Sequence, residues 1–213
     1  MTIEQESPNN DLCFVSMPKA GTNWFKHLAE YTLKRGTVTN RYSQQCINAL
    51  YYSNLHDGSK NWGIHYHGLE KFDNSKNFNC RIVEPQNKKI LFLSREFKYV
   101  IYSWIMFSKL NINEEQIKTM MKFLTEYYNH FTTIQDKELY CFTYEDMVEK
   151  PMEILPSVFD FIGVDYDINR LAEGIDIITK DTIRIHNRRL ADTSEEYANN
   201  RESFFETYKE ILG

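Results

Sequence analysis

The stretch FVSMPKAGTNWFKHL, Phe14 to Leu28, begins as an apolar strand and ends as an amphipathic helix, with a lysine and a glycine in the short turn between them. The first backbone N–H groups of a helix have no partner within it, and together with the helix dipole they favour a bound phosphate or sulfate. A glycine at that point lets the backbone approach such an anion, and a lysine adds a full positive charge. Ser16 to Asn23 supplies all of these parts. It is not the G-x-x-x-x-G-K-[ST] loop of nucleoside triphosphatases, because Lys19 precedes Gly21 instead of standing directly before the helix-starting hydroxyl. Taken alone, the segment is equally an ordinary strand-to-helix turn of an α/β domain.

Working outward, apolar runs of strand length lie at Leu12 to Met17, Lys89 to Ser94 and Leu139 to Thr143, each followed by a helical or turn-like segment. Strands alternating with helices predict an α/β fold of three layers, α/β/α, around a central, mostly parallel sheet. The first helix is expected from Thr22 to Lys34, on the spacing of Trp24, Phe25, Leu28, Tyr31 and Thr32, with Gly36 as its C-terminal cap. Thr37 to Gln86 reads as less regular, with short helices, one strand around Trp62 to His67, and substrate-facing loops. Helices follow at Phe97 to Leu110 and at Asn113 to Thr133, where Glu114 and Glu115 suit the first turn. Pro151 starts another, closed by Gly163, with Pro156 either delaying its start or bending it, and a polar helix follows Thr193.

Composition narrows the function. With 213 residues, 42% hydrophobic and 15% aromatic, the chain can bury a core and reads as one domain, 1–213. A net charge of −5 and a pI near 5.7 argue against a general nucleic-acid or anionic-membrane binder, so any bound anion needs a local site. Cys13, Cys46, Cys80 and Cys141 are widely spaced and form no C-x-x-C pair, which reads as reduced thiols. MTIEQESPNND has no signal-peptide order, and no apolar run reaches membrane-spanning length, so the expected location is cytoplasmic.

The turn then acquires a second signal. P-K-A-G-T-N-W, Pro18 to Trp24, resembles the 5′-phosphosulfate loop, P-K-[SA]-G-T-T-W, of the sulfotransferases that use 3′-phosphoadenosine 5′-phosphosulfate (PAPS). That family is similar in fold to the P-loop nucleotide kinases. The resemblance implies that Lys19 contacts the 5′-phosphate and bridging oxygen, that Ala20, Gly21, Thr22 and Asn23 form the loop holding phosphate oxygens, and that Trp24 stacks on adenine. Asn23 stands where the family usually has a second threonine.

Two more segments follow in the family's order. In FLSREFKYVIYSWIMF, Arg95 at a strand end is followed eight residues later by Ser103 on the next helix, which resembles the family's 3′-phosphate pair. The carboxyl end of a strand opens on the ligand crevice of a parallel sheet, where a guanidinium binds phosphate oxygens bidentately. FTYEDM, Phe142 to Met147, and the following EKPMEILPSVFDFIGV are similar to the family's Y-E-D-[LM] segment and its helix. This resemblance implies that Tyr144 reaches the adenine edge while Glu145 and Asp146 support local structure. On the residues alone, the same trio is equally a hydroxyl and two caps.

The family's base is the histidine of a K-T-H segment. Aligning it with WGIHYHG makes His67 the base and puts His65 where a lysine is often found, with His65 the second candidate for the base. A histidine near its reference pKa accepts a proton at neutral pH. Residues two apart on a strand share a face, so the pair also reads as half a metal site, but no third and fourth ligands are evident and no metal is expected. Where the family has R-K-G, this chain has TIRIHNRRLADTSEEY, in which Arg184, Arg188 and Arg189 form a basic cluster and Arg188 and Arg189 are the suggested additions to the 3′-phosphate site. The family's dimer motif is absent, leaving the oligomeric state open. Tyr42, Tyr51, Tyr52, Trp62, Tyr66, Phe72, Trp104 and Phe107 are compatible with an apolar acceptor pocket or with core. The reading is a PAPS-dependent sulfotransferase acting on a hydroxyl or amine of a small molecule. A catalytically silent nucleotide-binding protein and a small metabolite kinase of related fold are the alternatives.

Overall fold

In the computed structural model, residues 11–41, 44–47, 61–70, 80–108, 112–179 and 195–213 are described. Among them six strands form one sheet: β1 (Leu12–Ser16), β2 (Gly36–Arg41), β3 (Gln44–Ile47), β4 (Asn61–Tyr66), β5 (Lys89–Ser94) and β6 (Glu138–Thr143), in the order β3-β2-β4-β1-β5-β6. All neighbours pair in parallel except β2 and β3, which form an antiparallel edge. β1 sits between β4 and β5, with Phe14 opposite both His65 and Leu91. The chain visits the β2/β4 side first and then crosses to the β5/β6 side, so the strand order reverses at β1. In such a sheet, ligands bind outside the carboxyl ends of the strands at that switch point.

Every residue of β1 is buried, as expected for a central parallel strand covered on both faces. On one face Phe14 packs on Phe25 of α1 (Thr22–Leu33), ring centroids 4.9 Å apart, and Phe25 reaches Phe142 of β6 at 5.1 Å. On the other, Phe92 stacks on Phe131 of α3 (Glu114–Thr132) at 5.5 Å. Helices therefore cover both faces, giving the three layers expected.

α2 (Phe97–Ser108) and α3 begin where the sequence predicts, and Asn113 and Gln116 close a reciprocal capping box. Four boundaries differ. α1 ends at Leu33, Lys34 takes the left-handed cap position with φ 52°, and Gly36 opens β2 instead of capping. β2 and β3 form a hairpin in the stretch expected to be irregular, because ladder pairing and the β-branched run Thr37-Val38-Thr39 outweigh the polar composition. The short helices expected nearby lie outside the described residues. Tyr144 leaves the strand and opens α4 (Tyr144–Glu149), since the Thr143 side chain accepts from Asp146 N and caps it. Pro156 lies inside α5 (Pro151–Ile162) and does not delay it, with Pro151 at the tolerated first position and Gly163 closing it at φ 77°.

A helix the sequence reading did not single out, α6 (Ile168–Ile177), is capped by Asp167 and lays Gly174 against Leu28 and Tyr31 of α1. The C-terminal helical stretch is α7 (Glu195–Thr207) and α8 (Lys209–Leu212).

Candidate active site

The turn after β1 is tight. Met17 N donates to Leu93 O at 2.9 Å, extending the β1/β5 ladder, and Ala20 N donates back to Met17 O at 3.1 Å. Lys19 and Gly21 both take left-handed backbone, φ 63° and 82°. Gly21 stands at the N-cap of α1 and has no side chain to offer, so no side-chain hydrogen bond caps this helix. A Cβ on Gly21 would also overlap the Tyr144 ring, so the position requires glycine twice over. The Lys19 ammonium lies 3.2 Å from the centroid of the Phe107 ring, a cation–π contact from the loop to α2.

Arg95 follows β5 and meets the same loop. Its Nη1 donates to Lys19 O at 3.0 Å, and its guanidinium lies 4.6 Å from the Tyr144 ring centroid. Its Nε is 3.9 Å from Glu145 Oε1, an oxygen that also accepts from Glu96 N at 3.3 Å. Glu145 thus faces the arginine as well as its own helix, a role its sequence neighbourhood did not reveal. Asp146 behaves as a local support, with Thr143 Oγ1 donating to its Oδ2 at 2.7 Å. The Trp24 indole donates to Ile178 O at 2.5 Å and meets Tyr144 edge-on at 6.4 Å. Ser103 is buried on α2. A cavity of about 370 Å³ opens at the ends of β5 and β6, with Arg95, Lys98, Glu145, Phe97 and Met121 in its wall.

The two histidines converge on Ser16, the last residue of β1. His65, buried, places Nε2 at 2.9 Å from Ser16 Oγ, and Thr22 Oγ1 donates to the same oxygen at 2.8 Å. His67 Nδ1 lies 3.0 Å from Ser16 O and 3.5 Å from its Oγ, and the two imidazoles are 4.7 Å apart. Behind them the fully buried Tyr127 of α3 donates at 2.6 Å to His67 O and lies 3.2 Å from Ser16 O. Burial pushes its phenol well above the usual range, keeping it a donor. Sequence reasoning missed Ser16 and Tyr127. The signal for Ser16 is the pairing of Phe14 with His65, which is readable only once the strands are in register.

Not every expectation meets here. Arg184, Arg188 and Arg189 lie outside the described residues, as do Tyr42, Tyr51, Tyr52 and Phe72. Trp62 and Trp104 are buried in the core. Among the described residues no group of three His, Cys, Asp or Glu is placed to hold a metal ion. No described helix is long and apolar enough to cross a membrane.

The sulfotransferase-domain family model matches residues 9–209. The chain belongs to the sulfotransferase family. Among solved structures it is similar to mouse sulfotransferase SULT7A1 complexed with PAP, with a TM-score of 0.50 and 14% identity, covering 82% of this chain and 66% of the mouse chain. That likeness is one of fold. A search of curated proteins finds no match. This sulfotransferase domain thus gathers the loop, Arg95, Tyr144 and both histidines at the carboxyl ends of β1, β4, β5 and β6.

Proposed function

We propose that this protein transfers a sulfuryl group from PAPS to a hydroxyl or amine of a small-molecule acceptor. The observation that carries the reading is the contact between the left-handed, uncapped β1 turn and Arg95, whose Nη1 donates to Lys19 O; in the reading, Lys19 and Arg95 each take one end of a bisphosphorylated nucleotide. Sulfuryl transfer resembles phosphoryl transfer, passing through a loose in-line transition state in which the protein positions reactants and stabilises charge. The acceptor oxygen or nitrogen attacks sulfur, a new bond to sulfur forms, and the bond to the bridging oxygen of the 5′-phosphate breaks. Adenosine 3′,5′-bisphosphate leaves.

In this reading Lys19 moves from the Phe107 ring to neutralise the leaving 5′-phosphate, and the amides of Ala20, Gly21, Thr22 and Asn23 hold its oxygens. Arg95 and Ser103 take the 3′-phosphate, joined by Arg188 and Arg189. Trp24 and Tyr144 receive the adenine. His67 accepts the acceptor's proton, with His65 in the place of a charge stabiliser. In this reading the protein is a cytoplasmic, single-domain enzyme, and no step of the transfer calls for a metal.

The test is turnover. Radiolabelled PAPS is incubated with a panel of phenols, alcohols and amines, and labelled product is the expected result, lost in His67→Ala and Lys19→Ala. Unchanged rates in both variants would overturn the site. Absence of product across the panel, together with phosphate transfer from ATP, would overturn the activity.

A further inference from the structure

Two histidines of one type stand 4.7 Å apart at one strand end, and the proposed reaction needs opposite things of them: one accepts a proton while the other stabilises negative charge. The structure assigns this division to Ser16. We infer that Ser16 is a positioning residue that fixes His67 as an acceptor through its backbone oxygen and His65 as a donor through its hydroxyl, the latter once an anion occupies the loop. The inference rests on the nucleotide reading above and deepens it.

The His67 half follows from what a carbonyl can do. Ser16 O has no proton, so the His67 Nδ1 at 3.0 Å carries one and donates it. A neutral imidazole with Nδ1 protonated has its lone pair on Nε2, and that nitrogen is the base. Tyr127 ties down both backbone oxygens involved, at 3.2 Å to Ser16 O and 2.6 Å to His67 O, which holds this tautomer's geometry.

The His65 half follows from the chain Thr22–Ser16–His65, with links of 2.8 and 2.9 Å. Each hydroxyl in it donates one proton and accepts at the other side, so the chain runs as a whole in one direction or the other. Without an anion, Thr22 donates inward to Ser16, and Ser16 has its own proton to give to His65 Nε2. A bound phosphate only accepts. Thr22, first residue of α1 and half-exposed, then turns its proton outward, so it must accept from Ser16, and Ser16 must accept from a protonated His65 Nε2. Anion binding therefore reverses the chain and aims an N–H of His65 toward the site, by a tautomer change or by proton uptake. One serine sets neighbouring imidazoles in opposite roles.

The experiment is NMR of the full chain labelled uniformly with nitrogen-15, reading backbone amides and imidazole nitrogens, with and without adenosine 3′,5′-bisphosphate, His65 and His67 being assigned by loss of signal in His65→Gln and His67→Gln. The expected result is a His67 with protonated Nδ1 and acceptor-type Nε2 in the free protein. On saturation, His65 Nε2 moves from the acceptor-type to the protonated-type range. In Ser16→Ala that move is abolished and bisphosphate affinity falls about tenfold, while Ser16→Thr restores both. Ligand-induced shifts in the loop amides with His65 unchanged would overturn this inference and leave the nucleotide reading standing. No ligand-induced shift anywhere would overturn both. A Ser16→Ala variant with the wild-type His65 response would reduce Ser16 to a structural role.

Discussion

Helices α1 and α4 both follow a parallel strand at the carboxyl end of the sheet, yet they treat their first N–H groups in opposite ways. α4 starts at once: Thr143 ends β6, accepts from Asp146 N at 3.0 Å, and Asp146 returns a carboxylate to the threonine hydroxyl. Its positive end is answered from within. α1 starts only after a turn with two left-handed residues, behind a glycine that has no side chain to cap with. Capping is cheap in sequence, needing a single Ser, Thr, Asp or Asn, and α1 omits it beside a lysine and an arginine, the arrangement on which the proposed anion site rests. One terminus is closed by its own side chains, and the other is left open, at the place where the proposed function seats the nucleotide.

Breaking the open terminus has the largest expected effect. Lys19→Ala removes the ammonium without touching α4, and sulfuryl transfer is predicted to fall about 10²- to 10³-fold, the scale of losing one charge-stabilising donor. Labelled-product rates measure it, and a loss under about threefold would deny Lys19 a role at the reacting center.

Gly21→Ala probes the backbone of the same turn. It forces an L side chain into φ 82° and drives its Cβ into the Tyr144 ring, so a loss of about 1–3 kcal/mol in urea unfolding is expected. The same substitution at Gly163, where no neighbouring atom lies within 4 Å, tests backbone strain without the clash and should cost less.

The far half of α1 holds a smaller, pH-dependent effect. Glu30 is buried, accepts from Thr37 N at 3.2 Å, and burial pushes its carboxyl up from 4.5 to about 7. The folded protein holds this proton more tightly than the unfolded chain does. Stability from the protonated group is fully present below pH 4.5, falls as pH rises toward 7, and is lost above it. Glu30→Gln is expected to flatten that slope and to stabilise the protein at pH 8 by on the order of 1–2 kcal/mol. Unfolding midpoints from pH 5 to pH 8 check it. A wild-type profile that rises with pH would contradict the assignment.

The closed terminus gives the smallest effect. Thr143→Ala removes one cap and is predicted to cost about 1 kcal/mol, with Thr143→Ser recovering most of it. Nucleotide binding should change little. If Thr143→Ala instead weakened adenosine 3′,5′-bisphosphate binding as much as Lys19→Ala, the two termini would not be opposites.

Much of this was legible before any fold was known. β5 runs over the residues its apolar pattern predicts, α3 begins at its Asn113 cap, and Gly163 closes α5, because period, capping residues and left-handed glycines act within a few neighbours. The β2/β3 hairpin was not legible. Its polar side chains give no alternating pattern, and it is held by pairing to β4. Gly36 misled for a related reason: Lys34 adopted the left-handed cap that glycine normally takes, and the glycine passed into the strand.

The residue order alone specified the central strands, the helices that follow them, and a turn whose lysine, glycine and free amides suit an anion. Those properties arise from chemistry between near neighbours in the chain. Only the tertiary structure decided that Ser16 stands between Thr22, His65 and His67, that Tyr127 clamps them from the opposite layer, and that Glu145 faces Arg95. Those meetings depend on strand register and layer packing across residues far apart in sequence, and a shift of one position in β4 would turn both histidines to the other face.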